Sequence, residues 1–257
     1  MIAYLTGSGF YDMPGYEEKK SENRFGEARF FMGKNKSGQE VAVLPRHGPG
    51  HHFLPHQINH RANVTALAEQ KAAGIISLSV CGVLRPEWEL ARPFLAEDLF
   101  FPENRMGDGS TCTLFNESGE PNRGHLLAGN LYHPGLNNAL AQSLQDLGKE
   151  PCHAQYAHVP GPRFNTKSEI QFLQSTGSGF LSQTCGPEAV LANELEIPYA
   201  MVGFGIDYAN GVAPEPTPVE TLQENLGKAN SLFRDLVNSF SLPKVPWHFE
   251  NFVYRFD

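Results

Sequence analysis

Cysteine is scarce in this sequence and poorly placed for structural bonds. The chain has four cysteines in 257 residues, and no two of them form a C-x-x-C pair. This spacing argues against a zinc ribbon or a thioredoxin-like motif, and four is too few for a disulfide framework in a chain of this length. We therefore expect reduced thiols, as in a cytoplasmic protein.

Long apolar runs and an excess of positive charge are missing as well. No run of about 18 apolar residues occurs, which argues against a membrane-spanning helix. Residues 1–10 lack the basic start and the apolar core of a secretory signal. The formal net charge of −8 argues against a general affinity for nucleic acid or for an anionic membrane. We expect a cytoplasmic protein that binds neither.

The residues that are present have the composition of a globular α/β protein. Hydrophobic residues make up 40% of the chain and charged residues 19%. Short apolar runs predict buried strands, and patterns of period 3.6 predict helices between them. The predicted strands cover residues 2–6, 30–32, 41–44, 75–80, 155–159, 180–182 and 199–206, and the predicted helices cover residues 59–73, 136–147, 187–195 and 217–240. This alternation predicts one α/β domain over residues 1–257, with a central mixed, largely parallel β-sheet flanked by helices.

Cap and turn residues predict where two of these helices begin or end. Asn59 is expected to cap the first helix and Gly74 to stop it. Residues 217–220, TPVE, combine a capping-box pattern with proline at the first helical position, which predicts the start of the last helix. Residues 100–135 show no period, and a loop of this length in a compact domain is usually functional or part of a subunit contact.

Polar segments follow several predicted strands, where α/β sheets place their ligands. The Gly-Ser-Gly turn at residues 7–9 exposes backbone N–H groups and offers the Ser8 hydroxyl to an oxyanion, although an ordinary turn has the same pattern. The third glycine of the dinucleotide fingerprint is missing. Arg46, after a second strand, supplies a planar fork that matches phosphate oxygens.

Five of the ten histidines lie between residues 47 and 60. His52, His56 and His60 are spaced by four, which is a pattern typical of zinc ligands on one helix face. Pro55 disfavours a continuous helix there, and no cysteine or acidic ligand lies within the run. The sequence therefore favours an anion site over zinc, and solvated surface histidines remain an alternative for His52 and His56.

Two further segments carry side chains suited to a heteroaromatic ligand. Phe164 could offer a flat stacking surface and Asn165 a hydrogen-bonding amide, although a phenylalanine at a helix start is more often part of the core. Asp207 follows an apolar strand, where a carboxylate is either a cap or a functional acid. If it is partly buried, its pKa rises and it becomes a usable proton donor near neutrality.

Taken together, these segments resemble the trimeric purine nucleoside phosphorylase and methylthioadenosine phosphorylase family. The resemblance runs over nearly the whole chain, from the turn at residues 7–9 into the last helix. It is carried by LPRHG at residues 44–48, His51, PHQINHRAN at residues 55–63, SVCGVL at residues 79–84, GPRF at residues 161–164 and PEAVLA at residues 187–192. Ordered spacing over so many residues is far more specific than a short motif.

The resemblance implies an enzyme that splits the N-glycosidic bond of 5′-methylthioadenosine, or of a related purine nucleoside, in a cytoplasmic purine salvage reaction. Inorganic phosphate would be the co-substrate, with no other cofactor and no metal. Phosphate would be held by Ser8, Arg46, His47, Ser79, Val80 and Thr184. Purine and ribose would lie against Phe164, Asn165, Gln183, Cys81, Gly82 and the catalytic acid Asp207. The 5′ group would contact Pro218, Leu222 and, from the neighbouring subunit of a homotrimer, His125.

Several residues depart from the family pattern. Val80 adds bulk beside the phosphate, Pro160 replaces a common Glu, and Gln183 stands where Met is usual. Ala209 replaces the second carboxylate of the adenine-specific branch, while Asp207 stands where 6-oxopurine branches carry Asn. Besides 5′-methylthioadenosine cleavage, two alternatives therefore stay open: phosphorolysis of inosine or methylthioinosine, and a catalytically weak relative that binds a flat aromatic ligand.

Overall fold

The computed structural model describes residues 1–243, 245 and 247–256, which form an α/β fold. The strands are β1 (Ile2–Thr6), β2 (Glu17–Asn23), β3 (Gly26–Lys34), β4 (Glu40–Pro45), β5 (Gly74–Val83), β6 (Pro93–Phe100), β7 (Gly124–Leu127), β8 (Cys152–His158), β9 (Phe180–Ser182), β10 (Tyr199–Tyr208) and β11 (Phe252–Arg255). The helices are α1 (His60–Glu69), α2 (Pro134–Asp146), α3 (Lys167–Ser175), α4 (Cys185–Glu194) and α5 (Val219–Ser239). None of the described helices has the length and apolar character needed to cross a membrane.

One large sheet organises the molecule. Its strand order is β10-β6-β8-β9-β5-β1-β4-β3-β2, and β10 also pairs with β5. That extra pairing closes β5, β9, β8, β6 and β10 into a ring, while β1, β4, β3 and β2 extend from it as an open sheet. Parallel pairs join β1 to β4 and β5, β5 to β10, and β8 to β6 and β9, and the remaining pairs are antiparallel. The predicted mixed, largely parallel sheet is confirmed. The sequence did not predict that part of this sheet closes into a ring.

Helices cover both faces of the central strands, as the predicted fold requires. Successive side chains of a strand point to opposite faces, so Ala3 and Leu5 of β1 join one buried cluster while Ile2 and Tyr4 join the other. The first cluster includes Val64, Leu67, Leu191 and Ala192 of α1 and α4, and the second includes Leu136, Leu140, Phe233 and Leu236 of α2 and α5. Because β1 is buried on both faces, its sequence is a continuous apolar run.

The start of α1 agrees with the sequence prediction, but its end does not. Asn59 caps the helix, and its Oδ1 accepts a hydrogen bond from the Ala62 N–H at 3.1 Å. The helix ends at Glu69, before the predicted end at residue 73. Lys71 adopts a φ of 59°, which turns the chain toward the sheet. Gly74 is therefore the first residue of β5 and not the helix stop.

The capping box predicted for α5 is wrong. Pro218 occupies the N-cap position, and no side chain caps the helix. The Thr217 hydroxyl accepts a hydrogen bond from the backbone N–H of Tyr208 at 3.2 Å. The Thr217 hydroxyl therefore binds β10 in place of capping α5. This hydrogen bond ties the start of α5 to the end of the strand that carries Asp207.

The sequence does not predict β2, β6, β7 or β11. β2 reads EEKKSEN, has no apolar face, and pairs only with β3 at the edge of the sheet. β7 and β11 form a separate two-stranded sheet, in which Leu127 pairs with Phe252 and Gly124 with Arg255. The segment predicted to be irregular, residues 100–135, contains β7 and is otherwise mostly irregular.

Candidate active site

A cavity of about 420 Å³ lies at the carboxyl ends of β1, β5 and β10. Most of the residues that the sequence assigned to a site line it: Ser8, His47, Ser79, Val80, Cys81, Gly82, Phe164, Asn165, Gln183, Thr184, Asp207 and Leu222. Arg46, Pro218 and His125 are not part of the lining. The structure therefore brings residues from seven separated segments of the chain to one place.

Strand lengths create this cavity. β5 pairs with β1 as far as Leu78, where β1 ends at Thr6, and it pairs with β9 from Gly82 onward. Between these pairings, residues 79–81 have no partner strand on that edge among the described strands, while their other edge is paired with β10. Backbone groups of this open stretch are therefore available to a ligand, directly beside the turn at residues 7–9.

Hydroxyl groups and a helix end define one part of the cavity. Ser8, Ser79 and Thr184 all line it. Ser79 Oγ lies 3.1 Å from the Val80 carbonyl and 3.3 Å from Ser182 Oγ. α4 begins immediately after Thr184, so the positive end of its dipole is at the cavity. No lysine or arginine is among the described lining residues, and an anion here would be held by hydroxyls, backbone N–H groups and the helix end.

The planar fork of Arg46, which the sequence matched to phosphate oxygens, is not directed at the cavity. The Arg46 side chain is completely buried, and its fork is directed at Glu188: Nε lies 2.6 Å from Oε1, and Nη2 lies 3.1 Å from Oε2. A buried carboxylate satisfies the planar guanidinium better than an open cavity does. The charge of Arg46 nevertheless lies beneath the cavity floor, because Nη1 is 2.9 Å from where a Cβ on Gly7 would stand.

Two stacked histidines form part of the cavity wall. The rings of His47 and His51 are 4.0 Å apart and nearly parallel. His47 Nδ1 lies 2.8 Å from the Phe53 carbonyl, which can only accept, so Nδ1 carries the proton. Burial lowers the pKa of His47 to about 4, and the ring is therefore neutral near pH 7. His51 Nδ1 is bonded to the Tyr11 hydroxyl at 3.0 Å.

Asp207 is the acidic side chain among the described residues that line the cavity. Burial raises its pKa from 3.8 to about 6. The pairing of β10 with β5 shifts register between Gly205 and Asp207, and such bulges re-aim side chains. Opposite it, a Cβ on Gly82 would stand 3.7 Å from Asp207 Oδ1, so the glycine leaves space beside the carboxyl group. The predicted acid is thus partly buried and raised in pKa, as a proton donor requires.

Phe164 and Asn165 lie at the mouth of the cavity, just before α3. Phe164 is 71% exposed, so the alternative that it belongs to the core is wrong. Asn165 is held by its carbonyl, which accepts a hydrogen bond from Asn210 Nδ2 at 2.7 Å, while its buried Oδ1 has no partner among the described residues. Gln183 Nε2 donates to the Arg163 carbonyl at 3.1 Å. An exposed ring beside an unsatisfied amide is suited to cover a flat polar ligand.

Two residues predicted for the 5′ pocket lie elsewhere in this chain. Pro218 precedes α5 and does not reach the cavity, although Leu222 and Leu226, one and two turns along the helix, do. The sequence therefore placed the first cavity-lining residue of this helix one turn too early, at Pro218, whereas the lining begins at Leu222. His125 lies in β7, where its ring packs edge-on against Phe256 at 5.2 Å.

The zinc alternative finds no support in the arrangement of the histidines. Pro55–Gln57 forms a short 3-10 turn, so His52, His56 and His60 do not share a helix face. His60 is buried, with Nδ1 3.6 Å from Glu188 Oε1. Within residues 1–243, 245 and 247–256, no three His, Cys, Asp or Glu side chains gather as metal ligands.

The predicted site residues form only part of the cavity wall. The further lining residues are Gly7, His51, Leu54, Pro55, Pro162, Ile170, Leu181, Ser182, Ile206, Tyr208, Ala209, Asn210 and Leu226. Leu226 follows Leu222 by one helical turn, so the helical period could have identified it. Ile170 and Leu181 carry no such signal, because apolar residues of a helix and a strand are normally assigned to the core.

Comparison with known proteins gives a consistent family assignment. A family model described as the phosphorylase superfamily matches residues 2–241. A probable 6-oxopurine nucleoside phosphorylase of Moorella thermoacetica is 31% identical over 95% of this chain and 93% of its own length. An S-methyl-5′-thioadenosine phosphorylase of Nitrosopumilus maritimus is 30% identical over 95% and 92%. The crystal structure of a methylthioadenosine phosphorylase from an antarctic soil metagenomic library superimposes with a TM-score of 0.82 at 25% identity, covering 92% of this chain and 83% of that one.

Proposed function

The chain belongs to the phosphorylase superfamily, and on this basis we propose that it cleaves the N-glycosidic bond of 5′-methylthioadenosine, or of a related purine nucleoside, with inorganic phosphate. The products would be the free purine and a ribose 1-phosphate derivative. One observation carries the proposal: a single cavity combines a wall rich in hydroxyl groups with a partly buried carboxyl group of raised pKa. These are the two groups that phosphorolysis needs, one for the nucleophile and one for the leaving group.

Phosphate would bind where β1 ends and α4 begins. The hydroxyls of Ser8, Ser79 and Thr184 and the backbone of Val80 surround this place, and neutral His47 adds a hydrogen-bonding group. The N-terminal end of α4 supplies positive potential here, and the charge of the buried Arg46 below the cavity is balanced by Glu188. The phosphate itself attacks C1′ of the ribose, so no protein nucleophile is required. The site contributes orientation and electrostatic stabilisation.

Asp207 would assist departure of the purine. As the C1′–N9 bond breaks, positive charge grows on the ribose and negative charge on the base. A protonated Asp207 donates a hydrogen bond to N7 and relieves the charge on the leaving group, which for general acids is typically worth ~10²–10⁴-fold in rate. Its raised pKa keeps the proton available at mildly acidic to neutral pH. Phe164 would stack on the base, and Asn165 would contact the purine edge.

The choice between amino and oxo substrates depends on hydrogen-bond pattern. A neutral carboxyl group has one donor and one acceptor, which match N7 and the 6-amino group of adenine side by side. A 6-oxopurine presents acceptors at both positions and would leave the carboxyl acceptor facing an oxygen. Asp207 therefore favours a 6-aminopurine. The relatives named as 6-oxopurine nucleoside phosphorylases keep inosine and methylthioinosine as the second candidate substrates.

A substrate panel tests the proposal. Purine release from methylthioadenosine, adenosine, inosine and methylthioinosine is measured with and without inorganic phosphate. We expect adenine release from methylthioadenosine only when phosphate is present. Binding of the nucleosides without any release of purine would indicate a catalytically weak protein that only binds its ligand. Faster release of hypoxanthine than of adenine would indicate a 6-oxopurine nucleoside phosphorylase.

Asp207→Ala tests the acid within the same assay. We expect turnover to fall by ~10²–10⁴-fold, with a smaller loss of purine affinity. Asp146→Ala, at an exposed position on α2, serves as the matched control and should leave turnover unchanged. Full activity in Asp207→Ala would show that Asp207 has only a structural role.

The assembly and location of the protein are part of the proposal. We expect a cytoplasmic homotrimer in which His125 closes the 5′ end of a neighbouring cavity. In support, the two-stranded sheet that carries His125 exposes Leu127, Phe252 and Tyr254, each more than half accessible to solvent. Such an apolar patch is typical of a protein interface. No cofactor beyond phosphate is proposed.

A further inference from the structure

A fully buried ion pair lies behind the cavity floor. The side chains of Arg46 and Glu188 are 0% and 1% exposed. Burying two charges costs free energy that their attraction often does not recover, so such a pair is weak evidence for a stabilising role. The position of this pair, directly beneath a proposed anion site, calls for a functional reason.

The hydrogen bonds of Arg46 leave one N–H group without a partner. Nε and Nη2 bind the two carboxylate oxygens of Glu188, Nη2 also donates to the Leu5 carbonyl at 2.6 Å, and Nη1 donates to the Leu78 carbonyl at 3.0 Å. A guanidinium group has five N–H bonds, and these contacts use four of them. The remaining hydrogen is on Nη1, and it has no acceptor among the described residues.

Gly7 lies between that nitrogen and the cavity. It lines the cavity, and a Cβ at this position would stand 2.9 Å from Arg46 Nη1, closer than ordinary contact allows. The Cβ would also lie 3.9 Å from Ser79 Cα, on the open stretch of β5. The absence of a side chain at residue 7 therefore lets the guanidinium approach the cavity beside Ser79.

Glu188 has two further polar neighbours besides Arg46. Ser77 Oγ donates to Oε2 at 2.5 Å, and His60 Nδ1 lies 3.6 Å from Oε1. Burial alone would raise the pKa of this carboxyl, but the charge of Arg46 outweighs burial and lowers it to about 2. The carboxylate is therefore ionised at neutral pH, and it belongs to the first turn of α4, whose N-terminus faces the cavity.

We propose that Glu188 is a positioning residue for phosphate, which holds the Arg46 guanidinium so that its free Nη1 hydrogen is directed at the anion through the gap left by Gly7. This inference rests on the proposed function and deepens it. Arg46 then contributes a single fixed, charge-assisted hydrogen bond from below, and Glu188 acts only through Arg46. Ser77 supports Glu188 in the same way.

Glu188→Gln tests this role, because it keeps the size of the side chain and removes its charge. We expect the KM for phosphate to rise by about 10- to 100-fold, the range for loss of a hydrogen bond to a charged group. The Kd of the nucleoside, measured without phosphate, should stay unchanged. Gly7→Ala should raise the phosphate KM as well, because its Cβ displaces Nη1. Glu188→Gln combined with Arg46→Gln should be no worse than Arg46→Gln alone.

Glu194→Gln is the matched control. Glu194 is a buried carboxylate at the other end of the same helix, where it accepts hydrogen bonds from the Leu114 N–H and the Thr113 hydroxyl, and it does not line the cavity. Its loss should lower stability without changing the phosphate KM. A folded Glu188→Gln protein with an unchanged phosphate KM overturns the proposal. If that variant does not fold, Ser77→Ala decides, and an unchanged phosphate KM in Ser77→Ala overturns it.

Failure of the proposed function would look different. In that case the wild-type protein releases no purine in the presence of phosphate, and no KM for phosphate can be measured. The rise in Tm on adding phosphate is then measured in place of the KM. If phosphate raises the Tm of the wild-type protein more than the Tm of Glu188→Gln, the positioning role is supported. An equal rise in both proteins, or no rise in either, overturns it.

Discussion

At the scale of the residue, the identity of side chain 207 sets the hydrogen-bond pattern offered to the purine. Neutral Asp207 presents a donor and an acceptor, whereas an amide directs two N–H donors at the base if its nitrogen faces the purine. Space for this recognition comes from Gly82, which leaves room beside the carboxyl group. Ala209 also lines the cavity and adds no competing charge. One side chain therefore combines base recognition and proton donation.

Asp207→Asn should change substrate preference. The amide can donate to both N7 and O6 of a 6-oxopurine, so we expect the ratio of kcat/KM for methylthioadenosine to that for methylthioinosine to fall by about tenfold or more, equivalent to one hydrogen bond of ~1.4 kcal/mol. Steady-state kinetics with both nucleosides at one pH measure this ratio. A ratio equal to that of the wild type would mean that residue 207 does not distinguish a 6-amino from a 6-oxo group on the purine.

The pH dependence of activity should report the same acid. The pKa of Asp207 is raised to about 6, so the group is protonated below this pH and loses its proton as the pH rises through it. We expect kcat/KM to decline on the alkaline side of about pH 6, and kcat to decline at a higher pH, because a bound purine shields the acid further. Asp207→Asn removes this ionisation, and the ionisation of phosphate is common to both proteins. An identical alkaline limb in both would assign it to another group.

At the scale of the element, the start of α3 holds the residues that cover the base. Thr166 caps this helix: its hydroxyl accepts from the Glu169 N–H at 3.4 Å, and Glu169 Oε2 accepts from the Thr166 N–H at 2.7 Å. Phe164 and Asn165 directly precede this cap. A reciprocal cap fixes the direction in which the chain enters the helix. The helix start therefore orients both side chains.

Thr166→Ala should therefore affect nucleoside binding more than catalysis. Losing an N-cap costs about 1 kcal/mol of helix stability, and fraying of α3 would loosen Phe164 and Asn165. We expect the nucleoside KM to rise while kcat and the phosphate KM stay close to wild type. Thr166→Ser keeps the hydroxyl and is the control. Equal kinetics for the Ala and Ser variants would show that the cap does not influence the site.

The packing of α5 links the site to global stability. Leu236 is fully buried between this helix and the sheet, while Leu222 and Leu226 of the same helix line the cavity. Leu236→Ala should lower the free energy of unfolding by about 2–5 kcal/mol, through lost burial and the cavity that remains. Urea unfolding measures this change, and Val219→Ala, at a position 65% exposed, is the control. A loss below that of the control would place Leu236 outside the core.

At the scale of the whole molecule, ligand binding should be visible as stability. Phosphate that binds the folded protein alone raises the free energy of unfolding, by ~2.7 kcal/mol at 100 times its Kd. We expect Tm to rise with phosphate, and sulfate at the same ionic strength tests whether the effect is specific. A chelator should change neither Tm nor activity, whereas a chelator-sensitive protein would reopen the zinc alternative.

The sequence indicated the contents of the site better than its geometry. The sequence placed Ser8 and Asp207 directly after predicted apolar strands and Ser79 near the end of another, and parallel strands bring such ends together. The sequence assigned Arg46 to phosphate, but the structure directs the fork of its guanidinium at Glu188. That partner lies 142 residues away along the chain, so no local pattern could identify it.

Local patterns in the sequence were sufficient for the fold class and most helices and strands, because apolar periodicity and caps act over a few residues. The family was indicated by the resemblance of ordered motifs along the chain. Only the tertiary structure decided where α1 ends and where α5 begins. The same is true of the pairing of β7 with β11 and of the pairing of β10 with β5. It also decided which charged groups are buried together. These outcomes depend on contacts between residues far apart in the chain, whose energies outweigh local preference by amounts that the sequence does not display.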